Sequence, residues 1–200
     1  YGVTPIPPYI KHTPLSERAL REKYQTVFAR RRGSVAAPTA SLHFTKRLLA
    51  DIKKAGHDIV FVTLHVNLGT FASIKEEQWK QGKLHEEFYE ISRAAAAALN
   101  RAKKSGQPIV AVGTTVTRTL ESAVRGGRVR GGHGTTDLFI RHGYRFAFAD
   151  ALITNFHVPR SSLLMLVSAL VSWKKLRELY RAAIAKKFRF FSFGDGMLIV

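Results

Sequence analysis

The sequence predicts an α/β fold built on a mixed, largely parallel sheet flanked by helices. Three observations carry that expectation. HDIVFVTLHV (57–66) and QPIVAVG (107–113) are short runs rich in β-branched and aromatic residues, as buried strands are. Between them lies an alanine-rich stretch that opens at Ser92 and closes at Gly106, a capped helix. VTRTLESAV (116–124) returns as a helix after the second strand, and alternation of strand and helix favours parallel neighbours.

The other elements follow in chain order. YGVTPIPPYI (1–10) holds three of the seven prolines and reads as an extended entry segment. A polar helix is expected over about 15–30. Thr39 or Ser41 caps a further helix, which runs to about Lys54 and stops at Gly56. A loop through NLGTF (67–71) follows the first strand, and LHEEFYEI (84–91) alternates roughly as a second. RGGRVRGGHG (125–134) reads as a flexible basic loop, and TDLFI (136–140) and ADALITN (149–155) as strands. SSLLMLVSAL (161–170) is apolar all round, hence a buried helix. Trp173, Leu176, Tyr180 and Ile184 form an apolar stripe on the next helix, and FRFFSF (188–193) reads as the last strand. Two hundred residues without an internal repeat fit one domain, 1–200.

Charge narrows the partners. Lys and Arg number 32 against 14 Asp and Glu, a formal +18 with pI near 10.6. A surface this positive repels itself unless phosphates or counterions neutralise it, so a polyanion such as RNA is the expected partner. A membrane surface fits less well, because the charge is spread over residues 11–54, 101–132 and 160–189 with no juxtamembrane cluster. The absence of cysteine excludes disulfides, thiolate metal sites and Cys nucleophiles, and it suits a cytoplasmic location. The longest apolar run, around Leu163–Val167, is far too short to span a bilayer, and no signal peptide opens the sequence.

Several segments carry a resemblance. They are PIPPYI (5–10), YQTVFA (24–29), GSVAAPTASLHFT (33–45), VTLHVNLGTF (62–71) and LHEE (84–87), then IVAVGTTVTRTLES (109–122), TTDLFI (135–140), LITNFHVPRSSLLMLVSAL (152–170) and FRFFSFGDGMLI (188–199). In content and order the chain resembles the S-adenosylmethionine:tRNA ribosyltransferase-isomerase family of queuosine biosynthesis, over essentially its whole length. Departures from the family pattern are Ser41 and Asn67 where Gly is usual, Leu84 for Met, Val116 for Ser and Arg160 for Lys. Ser41 and Asn67 add side chains where Gly lets a backbone approach a ligand. The family's N-terminal region, with a small β-barrel domain, lies outside this sequence, which reads as the C-terminal catalytic portion of a longer chain.

The resemblance implies an activity: the ribosyl group of S-adenosylmethionine is transferred and isomerised onto 7-aminomethyl-7-deazaguanine at the wobble position of tRNA. Adenine and methionine leave, and epoxyqueuosine remains on the tRNA. S-adenosylmethionine is consumed as a substrate, and no metal or resident cofactor is expected. Such chemistry needs a base, an acid for the departing adenine, polar groups for the ribose and the methionine carboxylate, and a basic surface for the anticodon stem-loop.

Side chains suited to these roles can be named. His43 lies near a helix start and His65 at a strand end, where α/β proteins collect binding groups, and His titrates near neutrality. Each is also explained by an ordinary packed or surface histidine. His85 and Glu87, two apart on a strand, would share a face and tune one another, or form an exposed polar pair. Thr114, Thr115 and Arg118 lie at a strand-to-helix junction suited to an anion, or the threonines merely cap the helix. Glu121 is expected to pair with Arg118 or Arg125 on the helix surface.

A second junction offers Asn155 and His157 for ribose or adenine, Phe156 for stacking, and Arg160, Ser161 and Ser162 for an anion. Asp195 would accept from a ribose hydroxyl, or serve only its Gly-flanked turn. Arg125, Arg128, Arg130, Arg160, Lys174, Lys175 and Arg177 are the expected phosphate contacts. Two further readings stay open: a non-catalytic RNA-binding domain, and a paralogue using S-adenosylmethionine on another substrate. Oligomeric state is not legible.

Overall fold

A computed structural model describes residues 3–7, 9–10, 12–66 and 74–200. Asn67 and the NLGTF segment lie outside the described residues. The mixed α/β class forms as expected, with two three-stranded sheets and a two-stranded hairpin among the described residues.

The first sheet is antiparallel, in the order β1 (Thr63–His65), β2 (Lys83–Ile91), β6 (Gly132–Leu138). β1 is much shorter than the apolar run 57–66, because its partner β2 is in register only from Thr63↔Glu90 to His65↔Phe88. The second sheet has the order β3 (Val110–Val112), β7 (Ala151–Asn155), β8 (Gly196–Ile199). Parallel pairing is confined to β3 and β7, in register from Val110↔Ala151 to Val112↔Ile153, and β8 runs antiparallel to β7. Asp150 fastens the start of this pair: its carboxylate accepts from Ile109 N at 2.8 Å and from Lys103 Nζ at 2.5 Å.

Helices begin where a hydroxyl can satisfy an otherwise unpaired N–H. Ser16, Thr45, Ser92, Ser161 and Ser172 cap α1 (Glu17–Lys23), α2 (Lys46–Lys54), α4 (Arg93–Lys104), α6 (Ser162–Val171) and α7 (Trp173–Ala185). The helix expected over 15–30 stops at Lys23, and Thr26 then draws Phe28 N into a local turn that competes with helix. Thr39 and Ser41 do not cap α2. They lie in a separate 3₁₀ turn (Thr39–His43) that follows Pro38, and Thr45 takes the capping role. A short helix, α3 (Glu76–Gln81), was not legible in the sequence.

The basic stretch 125–134, expected as a loop, instead carries strand at Arg125, Arg128–Val129 and from Gly132 onward. Gly126 and Gly127 both take positive φ (58° and 72°), the turn that closes a two-residue hairpin between β4 (Val124–Arg125) and β5 (Arg128–Val129). FRFFSF is a bend and not a strand, because Phe191 sits at φ 72° and the ladder resumes only at Gly196. On α7, Leu176 is buried and Tyr180 half-buried, but Trp173 and Ile184 are exposed, so the expected stripe is covered only in part.

α5 (Thr114–Ala123) joins the two sheets. It follows β3 directly, and its Arg118 reaches β2 and β6. Phe148, Leu152, Leu166, Val167 and Leu176 pack with Ile91, Ile140 and Leu120 in one continuous apolar core. No helix among the described residues is long and apolar enough to cross a membrane.

Candidate active site at one end of the mixed sheet

The two strand-to-helix corners singled out in the sequence are neighbours. β3 and β7 run side by side in the same direction, and Gly113 N donates to Ile153 O at 2.8 Å where both strands end. Ligands of open α/β sheets bind outside the carboxyl ends of such strands. Gly113, at φ 97°, turns the chain into α5, and no side chain caps that helix. Its first N–H groups therefore lack the hydroxyl partner that the five helices named above possess.

Asn155, the last residue of β7, organises the other half. Its Nδ2 donates to Phe191 O at 3.0 Å and lies 3.2 Å from His43 Nε2 at the end of the 3₁₀ turn. Its Oδ1 is buried with no hydrogen-bond partner. Gly196 lets the last strand approach: a Cβ there would stand 3.0 Å from His43 Nε2. Asp195 accepts from Arg189 N at 2.7 Å and from the Arg189 guanidinium at 2.8 Å. Arg189 holds its carboxyl below the usual carboxylate range, with a smaller contribution from His43. Its main task is thus the turn. Ser41 is buried in the 3₁₀ turn without a positive φ, so glycine's conformational freedom is not needed there.

Thr114, Thr115, Asn155 and His43 thus share one edge of the molecule, while other expected groups are committed elsewhere. Arg118 is buried and does not wait for an anion. Its Nη1 donates to Glu87 Oε2 at 2.6 Å, its Nε to Leu138 O at 2.9 Å, and its Nη2 to Thr136 O at 3.1 Å. His85 and Glu87 do not share a face: the β2–β6 register breaks between Lys83 and Glu87, leaving His85 exposed and Glu87 buried. Glu121 is not a surface partner of Arg118 or Arg125. It is buried and accepts from Ala147, Phe148 and Ala149 N–H groups at 2.7–3.0 Å.

Phe156 is buried among Tyr180, Phe188 and Phe190 and offers no open stacking face. His157 Nε2 hydrogen-bonds Thr154 Oγ1 at 2.8 Å, and its backbone N–H donates to the Tyr180 hydroxyl at 2.7 Å. Burial pushes the His157 pKa down to about 4, so its ring is neutral near pH 7. Ser161 is spent on its own helix, accepting from Leu164 N and donating to Val158 O. Ser162 opens α6, and Arg160 is exposed at φ 59°. His65 lies on β1, its ring 5.4 Å from that of Phe88 and closely approached by Gly33.

Arg125, Arg128 and Arg130 are exposed on and beside the β4–β5 hairpin, and Lys174, Lys175 and Arg177 on α7. Arg125 spends one nitrogen on the carbonyls of Ser122 and Val124. Sequence reasoning missed the Phe191 carbonyl and Gly196 as parts of the His43 surroundings. The paired glycines of FGDG were the available signal. Among the described residues, no three His, Asp or Glu side chains gather as a metal ion would require.

Fold and site together define a mixed α/β protein with a group of polar side chains at the carboxyl edge of its parallel strands. The chain belongs to the queuosine biosynthesis protein family, whose model matches residues 1–199. It is 51% identical over 200 residues to an S-adenosylmethionine:tRNA ribosyltransferase-isomerase of Moorella thermoacetica, covering 100% of this chain and 57% of the relative. It is 54% identical to the protein of the same name from Symbiobacterium thermophilum, covering 100% of this chain and 58% of the relative. Among solved structures it is similar to S-adenosylmethionine tRNA ribosyltransferase from Thermotoga maritima, with TM-score 0.68 and 43% identity over 81% of this chain and 51% of that one. The chain thus spans somewhat over half the length of the curated relatives it matches.

Proposed function

We propose that this chain carries the catalytic α/β part of an enzyme that moves the ribosyl group of S-adenosylmethionine onto 7-aminomethyl-7-deazaguanine at the tRNA wobble position. Adenine and methionine are released and epoxyqueuosine-tRNA is formed. The observation that carries this reading is the meeting of Thr114, Asn155 and His43 at one edge of the β3–β7 pair in a chain of this family. The uncapped start of α5 suits the methionine carboxylate, and the amide of Asn155 with His43 suits the nucleoside. S-adenosylmethionine is a consumed substrate in this reading, and no resident cofactor takes part.

The nucleophilic amine belongs to the tRNA, so the protein need only position, protonate and deprotonate. The exposed arginines of the β4–β5 hairpin and the basic residues of α7 suit the phosphates of an anticodon stem-loop, in the cytoplasm where tRNA is held. Incubating the full-length protein with S-adenosylmethionine and tRNA bearing the deazaguanine precursor, and following adenine, tests this. Release that depends on the tRNA is expected. Tight tRNA binding without release would make it a binding module, and release without tRNA would point to another acceptor.

A further inference from the structure

The orientation of the Asn155 amide is fixed by a neighbour that can only accept. Nδ2 lies 3.0 Å from the Phe191 carbonyl oxygen, so the NH₂ group and not Oδ1 must face it. Turning the amide over would bring two acceptors together with no proton between them. The same Nδ2 stands 3.2 Å from His43 Nε2. Facing a donor, Nε2 has one role left, that of acceptor through its lone pair. A neutral imidazole whose Nε2 accepts carries its proton on Nδ1.

We propose that Asn155 is a positioning residue that holds His43 as the Nδ1–H tautomer, so that His43 meets its substrate as a hydrogen-bond donor and not as the base. The proposal rests on the ribosyl-transfer reading of this site. To act as a base, His43 needs a free lone pair. The one on Nε2 is taken by Asn155, and freeing Nδ1 would put a proton on Nε2 against the Asn155 N–H. The donor suits a group on which negative charge builds, such as the nitrogen of a departing nucleobase. His43 keeps its proton and contributes a hydrogen bond that strengthens as the bond to the base breaks, and the departed base takes its proton from solvent water.

The surroundings are built to keep that amide in place. Phe191 sits at φ 72°, a region costly for a residue with a side chain, and this conformation aims its carbonyl at Asn155. Phe191 N donates to Phe156 O at 2.9 Å, and the Tyr9 hydroxyl accepts from Ser192 N at 3.0 Å and bonds the Ser192 hydroxyl. Asp195, ion-paired with Arg189, is the charged group that turn presents to His43, while Thr39–His43 and Ala151–Asn155 contribute no other titratable side chain.

The test uses full-length protein with ¹⁵N-labelled histidine, observed by long-range ¹H–¹⁵N NMR at about pH 8.5, where an ordinary imidazole is neutral. His43, assigned by the signal lost in His43→Gln, is expected to be protonated on Nδ1. Asn155→Asp, whose carboxylate accepts, is expected to move the proton to Nε2. In the adenine-release assay, His43→Asn places an amide N–H near the former Nδ1. It is expected to stay within about tenfold of wild type and to keep the acidic limb of the pH–rate profile, whereas loss of a base removes about 10²–10⁴-fold. An Nε2–H signal in the wild type, or a His43→Asn variant slowed by about 100-fold or more with that limb gone, overturns the proposal. If the wild type releases no adenine, the ribosyl-transfer reading fails, and the NMR result alone decides the role of Asn155.

Discussion

Arg118 and Glu121, less than one turn apart on α5, serve opposite sides of the molecule. Arg118 ties the helix to β2 and β6 through Glu87, and Glu121 gathers the backbone leading into β7. Removing one partner of a buried ion pair leaves the other uncompensated, so Arg118→Met is expected to cost about 3–5 kcal/mol in urea unfolding. The double variant with Glu87→Leu should cost less than Arg118→Met alone. Glu121→Ala orphans three backbone donors and is expected to cost about 3 kcal/mol or more by the same measurement.

His157 gives a pH-dependent expectation. Its folded pKa, pushed down to about 4 by burial, lies below the unfolded value near 6.5, so the folded state binds fewer protons between them. The stability this confers is whole above about pH 6.5 and is lost as the pH falls toward 4, by up to about 3 kcal/mol. Unfolding curves of wild type and His157→Gln, compared across that range, should converge as the pH falls. Parallel curves would show that His157 does not titrate this way. The roles of Arg118, Glu121 and His157 could not be read from the sequence, because each is set by a partner on another element.

Elements with local causes were legible. Ser92 opens α4 as its sequence requires, and residues 3–7 of the proline-rich entry segment stay free of helix. Elements that depend on distant partners were misjudged in extent. β1 is cut to what β2 can pair, and 188–193 bends because Phe191 turns away to serve Asn155. The turn before β8 is also the least tolerant of added bulk. A Cβ at Gly194 would fall 2.4 Å from the Phe190 carbonyl, so Gly194→Ala is expected to cost roughly 1–3 kcal/mol and to weaken the Asn155–Phe191 bond. At Gly126, where a Cβ meets nothing within 4 Å, the substitution strains only the backbone and should cost about 1 kcal/mol. Thermal unfolding of the two alanine variants should separate them in that order.

Across the whole molecule, the dominant quantity is the +18 charge, which was legible in full from the sequence. Neutralising Arg128 on the hairpin or Lys174 on α7 is expected to weaken tRNA binding at every sequence alike. Each change should lower the slope of log affinity against log salt by about one. A variant whose slope is unchanged identifies a side chain that touches no phosphate. The site was legible only in its ingredients. His43, Thr114 and Asn155 could be named, but their meeting depends on β3 and β7 lying in parallel, a pairing between segments about forty residues apart.

The hydroxyls of Tyr9 and Ser192 meet although 183 residues separate them in the chain. During synthesis, His43 and Asn155 exist before the Phe191 carbonyl that orients the amide. A nascent chain halted short of residue 191 holds both His43 and Asn155, yet lacks the carbonyl that aims the amide.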